Sequence, residues 1–316
     1  MEHVIALSHA SGIAAEAILE KLPESGIKPE SLILLDHESN IGKRLPYADG
    51  YLSLQDQYKF DLSGCALLLM PEADAEMESL ALSQGCLLLS HALDSDSPAL
   101  FVAEGGAPPE LAYTQTSLRL AGAELSSLLP VLLELNRVEL IEHINITLLR
   151  SAEFHGRDGV DELASQTINL LSSRAVEPGV FTQQIAFNLL PETTAPLIES
   201  DIRQFMGNNS YSVTVQTANV PIFHGLVAAV QLRFVSGVSL EDCKSRLDTL
   251  ANVVVKKAPA SPISDCNQSF SSVISQLEQA PNQPSGLQFW MITDPMRYGL
   301  ANNYVNVTGF LLKSFL

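Results

Sequence analysis

The sequence predicts an α/β protein in which a doubly wound, mostly parallel domain is followed by a mixed α+β domain. Three observations carry that expectation. Short, unbroken apolar runs alternate with helical patterns through the first third of the chain, as in parallel strands covered by helices on both faces. Beyond about Glu124 the runs lengthen and alternate polar with apolar residues, the texture of strands with one covered face. The chain has 316 residues, 46% of them hydrophobic, which suffices for about two cores.

In chain order, Val4-Ile5-Ala6-Leu7 reads as the first strand. A turn through His9 and Gly12 follows, and Ala14, Ala15, Ile18, Leu19 and Leu22 mark a helix. Buried-type strands are expected at Leu32 to Leu35, Ala66 to Met70 and Leu87 to Leu89, and repeated βα units of this kind make a doubly wound sheet. Leu125 to Leu135 is expected to be a helix kinked at Pro130, leading into a strand over Val138 to Leu149. A helix at Val160 to Leu171, a strand near Ile185 to Asn188, long strands at Tyr211 to Val220 and Leu226 to Phe234, and a helix at Leu240 to Leu250 follow. The sheet they form is expected to be largely antiparallel. Ala258 to Gly286, with Pro259, Pro262, Pro281 and Pro284, reads as irregular around one short helix, Ser271 to Leu277. A strand at Phe289 to Ile292 and a helix from about Leu300 close the chain. The expected domains are residues 1–124 with about 298–316, and residues 125–297.

Composition narrows the function. With 18 basic against 36 acidic side chains the formal net charge is -18, so nucleic acid and anionic membranes are disfavoured as partners. No apolar run approaches the roughly 18 residues a membrane span needs, and the first residues read as strand, loop and helix rather than a secretion signal; a cytoplasmic location is expected. Cys65, Cys86, Cys243 and Cys266 are widely spaced and lack the clustering of a zinc site. Cys65 and Cys86 open leucine-rich runs and read as core residues. Cys266 lies in a polar stretch and is expected to be exposed, its thiol disfavoured as an anion by Asp265.

The turn after the first strand is where a Rossmann-like domain places a dinucleotide pyrophosphate, because glycines there let backbone amides approach it. Gly12, flanked by Ser11 and Ile13, holds a suitable position, and Asp36 ends the second strand near the spacing of a ribose-binding acid. The competing reading is a plain strand-helix turn with Asp36 facing solvent. No nucleophile elbow, phosphate loop or His-Glu-x-x-His helix is present. His155 and His224 sit at expected element ends, where active-site residues often lie, although a structural role is open to both. Glu16/Glu20 and Asp161/Glu162 read as solvated helix faces.

An ordered set of motifs then goes further. It comprises the Gly12 turn, Gly156-Arg157-Asp158-Gly159-Val160-Asp161-Glu162-Leu163, Phe187-Asn188, Pro221-Ile222-Phe223-His224-Gly225 and Gly286-Leu287-Gln288-Phe289-Trp290. In this order and spacing it resembles the aspartate-semialdehyde dehydrogenase family, which shares its fold with glyceraldehyde-phosphate dehydrogenase. The stretches Leu163-Ala164-Ser165-Gln166-Thr167 and Gln184 to Leu190 are similar to the Usg-type paralogues of that family. The resemblance implies a homodimer, NAD or NADP as cofactor, and a reaction in which a thiolate attacks an aldehyde, hydride leaves to the cofactor and phosphate cleaves the thioester. A histidine, a substrate-binding arginine and an acyl-orienting glutamine assist.

Residue by residue, those roles are unfilled. The cysteine's position falls at Ala123, the glutamine's at Arg150, the arginine's at Asn219 and the histidine's at Leu226. The family's glycine fingerprint reads His9-Ala10-Ser11-Gly12-Ile13-Ala14-Ala15, and the position of the NADP-phosphate arginine is Ser39. Asp36 would favour NAD. His224 lies two residues from Leu226, so on a strand the two would share a face. Ser126 and Ser127 offer no activated substitute for the thiol. Three readings stay open: a catalytically inactive, dimeric pseudoenzyme with a regulatory or partner role, a divergent NAD-linked oxidoreductase or small-molecule sensor using Asp36, Arg150, His155 and His224, and a remnant with no ligand at all. No metal is expected in any of them.

Overall fold

The computed structural model describes residues 3–93, 99–102, 115–192, 196–207, 212–281 and 283–314. Chain contacts divide it into two compact units, Met1–Ser126 with Gly299–Leu316, and Ser127–Tyr298.

The first unit is organised by β1 (Ile5–Leu7), β2 (Leu32–Asp36), β3 (Arg44–Tyr47), β4 (Gly50–Asp56), β5 (Leu67–Leu69), β6 (Leu87–Ser90) and β7 (Ser117–Arg119). They form one seven-stranded sheet in the order β3-β4-β2-β1-β5-β6-β7. Only β3 with β4 is antiparallel. Crossovers leave β1 in both directions, so the sheet is doubly wound. α1 (Ile13–Lys21) follows β1, and α2 (Ala75–Ser83) follows β5. The Asp74 carboxylate caps α2 by accepting from the Glu76 and Met77 amides. Leu68, Leu88 and Ala6 pack with Met77 and Ala81 beneath α2, each large side chain contributing about 1.5–3 kcal/mol of burial. Cys65 and Cys86 belong to the same core, as expected. The β3-β4 hairpin carries mostly exposed residues and a proline in the edge strand, so it offers no buried-strand signal.

The second unit contains α3 (Ala123–Val138), which begins four residues earlier in the chain and runs through Pro130. Its sheet is built from β8 (Ile141–Arg150), β9 (Leu190–Pro191), β10 (Ser212–Asn219), β11 (Leu226–Phe234), β12 (Val253–Lys256), β13 (Ser272–Gln279) and β14 (Gly286–Thr293). The order is β12-β13-β14-β11-β8-β10-β9. Pairing is mixed, with β8/β10 and β12/β13 parallel and the rest antiparallel. α4 (Gly156–Leu171), α5 (Pro196–Met206) and α6 (Leu240–Leu247) accompany it, and α7 (Asn302–Ser314) returns the chain to the first unit. The strand expected from Tyr211 begins at Ser212; Tyr211 itself lies outside the described residues.

Three expectations fail for identifiable reasons. Ser271 to Leu277 is strand, not helix, because Val273 and Ile274 are buried between β12 and β14. Ile185 to Asn188 is a turn with Phe187 at φ 58. Its Ile185 and Ala186 amides donate to Gln166 Oε1 at 2.9 and 3.2 Å rather than to a neighbouring strand. Cys266 is buried against Val273 and Ile292, its Sγ 3.0 Å from the Ile292 carbonyl; burial, with Asp265 a smaller contributor, pushes its thiol up to about 12. Glu162 is also no solvated face. Its carboxylate accepts from the Gly179 and Phe181 amides at 3.0 and 3.2 Å and so anchors that loop to α4.

Candidate functional site

In the second unit, strand register gathers three of the residues expected at family site positions into one row. Asn219 on β10 lies opposite Arg150 on β8, and Arg150 lies opposite Leu226 on β11. A row set by backbone pairing is rigid, and sites built on strands hold geometry better than sites on loops. Arg150 Nη1 reaches Glu192 Oε2 at 2.5 Å, and Asn219 Nδ2 donates to Glu192 Oε1 at 2.8 Å. His155, at the end of the short turn after β8, places Nε2 3.4 Å from Asn219 Oδ1 and packs edge-on against Phe181 at 4.5 Å between ring centres. Arg150 and His155 therefore meet through Asn219 and Glu192. Leu226 is buried and brings no polar atom to the row.

His224 belongs to a different cluster. It precedes β11 rather than lying on it, and Gly225 between His224 and Leu226 has φ +99. The strand periodicity that would have put His224 on the face of Leu226 is thereby broken. Its Nδ1 lies 3.1 Å from Glu153 Oε2, and Glu153 is buried. The Gly225 amide and the Ser151 hydroxyl donate to Glu153 Oε1 at 2.6 and 3.1 Å, so the acid is held in one pose. The hydrogen bond to Glu153 raises the His224 pKa, burial opposes the rise, and Asp294 adds to it. Asp294 is buried as well; burial holds its pKa above the ordinary range despite the Arg297 amide and guanidinium, which donate at 3.0 and 3.3 Å.

In the first unit, the turn after β1 is crowded by carboxylates. The Ser11 amide donates to Asp36 Oδ2 at 2.7 Å, while Asn40 Nδ2 and the His37 amide donate to Oδ1, both at 2.8 Å. Asp36 is therefore buried, not solvent-facing. Burial would raise its pKa, but these donors outweigh burial and hold it below the ordinary value. His9, expected at the family's first fingerprint glycine, has a left-handed backbone at φ 50, a conformation uncommon outside glycine. Its Nε2 sits 3.2 Å from Asp74 and 3.3 Å from Gln57. Beside Gly12, the N-terminal residue ahead of Ile13 and α1, a Cβ would collide with Glu72 Oε1. Ala123, expected at the position of the family's nucleophile, is buried at the start of α3. Ser126 is buried too, its hydroxyl donating to the Ala121 carbonyl at 2.8 Å.

Sequence reasoning missed Glu192, Glu153, Asp294 and Glu72. Each is an ordinary acid in a connecting segment, and only the folded register brings it to its partner. The reciprocal signal, an arginine or histidine needing a counter-charge at a strand end, was present at Arg150 and His224. Among the described residues no group of three or more His, Cys, Asp or Glu has the geometry to hold a metal, and no helix is long and apolar enough to cross a membrane.

Comparison with known proteins bears directly on these observations. Residues 135–298 match the family model described as semialdehyde dehydrogenase, dimerisation domain. A USG-1 protein homolog from Pseudomonas aeruginosa is 28% identical, the alignment covering 99% of this chain and 98% of that protein. Aspartate-semialdehyde dehydrogenase 2 from Vibrio cholerae is 26% identical with 98% of each covered. Among solved structures, a probable aspartate-semialdehyde dehydrogenase from Pseudomonas aeruginosa superposes with a TM-score of 0.86 at 25% identity, covering 100% of both chains. Since the matched domain spans more than half of the chain and the fold agrees throughout, this protein belongs to the semialdehyde dehydrogenase family.

Proposed function

We propose that this chain is an aspartate-semialdehyde dehydrogenase-like protein that no longer catalyses the family reaction and persists as a homodimeric scaffold with a regulatory or partner role. The observation that carries the proposal is the chemistry of the aligned positions. Ala123 has no nucleophile, Leu226 no proton to shuttle, and Asn219 no positive charge. No thiol stands in: all four cysteines are buried, and burial pushes Cys86 and Cys266 up to about 12 and Cys243 to about 11. Losing a catalytic unit of this kind costs about 10⁶ in turnover in a well-studied protease.

The turn after β1 fits a dinucleotide pyrophosphate poorly. The Ser11 amide is already engaged by Asp36, and Glu72 stands against Gly12, so an incoming anion would meet carboxylates where the family offers amides. No step through a cofactor is derived. The dimer rests on the family's dimerisation domain. Four free, buried cysteines fit a reducing, cytoplasmic setting.

The direct assay supplies aspartate semialdehyde, phosphate and either NADP or NAD to the purified protein. No turnover above the protein-free control is expected, and robust turnover would overturn the proposal. The second reading, a divergent NAD-linked oxidoreductase or small-molecule sensor, is favoured by one observation, the arginine and amide converging on a carboxylate at Glu192. Calorimetric titration with NAD decides the cofactor part. Saturable heat would move the assignment to an oxidoreductase, and none is expected.

A further inference from the structure

An open, doubly wound sheet takes its ligand in the crevice outside the carboxyl ends of its strands, where the strand order reverses. In the first unit that place lies beyond β1, which has β2 on one side and β5 on the other. Side chains from three strand ends span it. Gln57, fully buried, and Tyr58 follow β4, His9 follows β1, and Asp74 follows β5. Gln57 Oε1 accepts from the His9 amide at 3.3 Å. His9 Nε2, Gln57 Nε2 and the Tyr58 hydroxyl converge on Asp74 Oδ2 at 3.2, 3.1 and 2.8 Å. Asp74 Oδ1 takes the Glu76 and Met77 amides, both at 3.0 Å, so neither carboxylate oxygen is left for an outside donor. His37, just past β2, sets its ring edge-on to that of His9 at 5.2 Å between centres, and 5.8 Å from that of Tyr58.

We propose that His9, Gln57, Asp74 and Tyr58 form an internal bolt that shuts the ligand crevice of the first unit, with His9 the residue that excludes a dinucleotide from it. His9 carries two local penalties that a passive turn residue avoids. Its backbone is left-handed at φ 50, and its Nδ1 is buried without a hydrogen-bond partner. Such outliers persist where the surrounding structure over-determines them, and here Asp74 and Gln57 supply the mooring. A carboxylate only accepts, so the ring hydrogen sits on Nε2 and the imidazole has one pose. The His9 side chain is 7% exposed. An incoming pyrophosphate would have to displace a buried ring tied to three strand ends, not a mobile surface chain. The inference rests on the poor fit of a dinucleotide to this turn and names the residue responsible. It concerns binding alone and leaves the loss of catalysis to its own assay.

The test uses the full chain and NAD as probe, read by calorimetry. Glycine takes a left-handed backbone without strain, so His9→Gly removes the ring and keeps the turn. The unaltered protein and Glu72→Gln, which removes only the negative charge beside Gly12, are expected to give no saturable heat. The double variant His9→Gly/Glu72→Gln is expected to bind NAD at least about tenfold more tightly than either. No gain in the double variant overturns the bolt and leaves the loss of catalysis standing. An equal gain in Glu72→Gln alone overturns the assignment to His9, and saturable binding by the unaltered protein overturns the closure itself. Should the double variant not fold, heteronuclear NMR of the unaltered protein supplies the second readout. The His9 Nε2–H is expected as a slowly exchanging ring proton, because a buried, hydrogen-bonded proton exchanges only when its surroundings open. A ring proton that exchanges too fast to be seen, or one that NAD moves saturably, overturns the proposal.

Discussion

Asp36 joins the end of β2 to the turn after β1 through three donors, two of them backbone amides. Removing the acceptor leaves partly buried N–H groups without it, at a cost of about 1 kcal/mol, so Asp36→Ala should lower the urea midpoint of unfolding without changing the slope. The sign of its pH dependence is fixed by the lowered pKa. Its stabilising contribution is present above the ordinary carboxyl value of 3.8 and is lost as pH falls through the lower folded value. His224 has the opposite sign. Its raised pKa gives a contribution present below the ordinary 6.5 and lost as pH rises through the folded value. Glu153→Gln should move the His224 titration, followed by NMR, down toward or below 6.5; an unchanged midpoint would contradict the Glu153 contact. At this scale the sequence was informative about one partner in each pair. Arg150, Asn219, His155 and His224 are named by motif spacing, while Glu192 and Glu153 are not, since a counter-charge is supplied by spatial proximity that spacing does not encode.

At the scale of elements, the retained family motifs turn out to be packing devices. Gly159 lies within α4 where an added Cβ would sit 2.5 Å from the Ala152 carbonyl and 2.6 Å from His155 Cβ, so only glycine lets the helix close against the turn after β8. Gly225, at φ +99 with a virtual Cβ 2.6 Å from Pro262 Cβ, is equally constrained. Gly225→Ala should destabilise by at least about 1–2 kcal/mol from the left-handed backbone alone, measurable as a lowered melting temperature. Positions constrained in this way admit few other residues, and for that reason the fold is legible in the sequence. The strands β1, β2, β5, β6, β8, β10, β11 and β14 were all foreseen from apolar runs or alternation. β13 was not, because Gln276 at φ 54 and the register shift between Ser275 and Glu278 interrupt the alternation that marks a strand.

For the whole molecule, charge sets a measurable expectation. Each chain carries a formal -18, so two copies repel, and the repulsion is screened beyond about 8 Å at physiological ionic strength. Sedimentation should report a mass near twice 34.2 kDa, with dissociation favoured at low salt. A single-chain mass at all salt concentrations would remove the dimer from the proposal. The return of α7 to the first unit has a consequence of another kind. The Tyr304 hydroxyl donates to the Met70 carbonyl at 2.9 Å across 234 positions of sequence, and Asn303 reaches the Leu100 carbonyl at 3.0 Å. The first unit therefore cannot close until α7 has been made, whereas all residues of the second unit precede that helix. Native order is reached from the middle of the chain outward, and a released chain truncated before Gly299 should carry a protease-resistant second unit beside an open, cleavable first one.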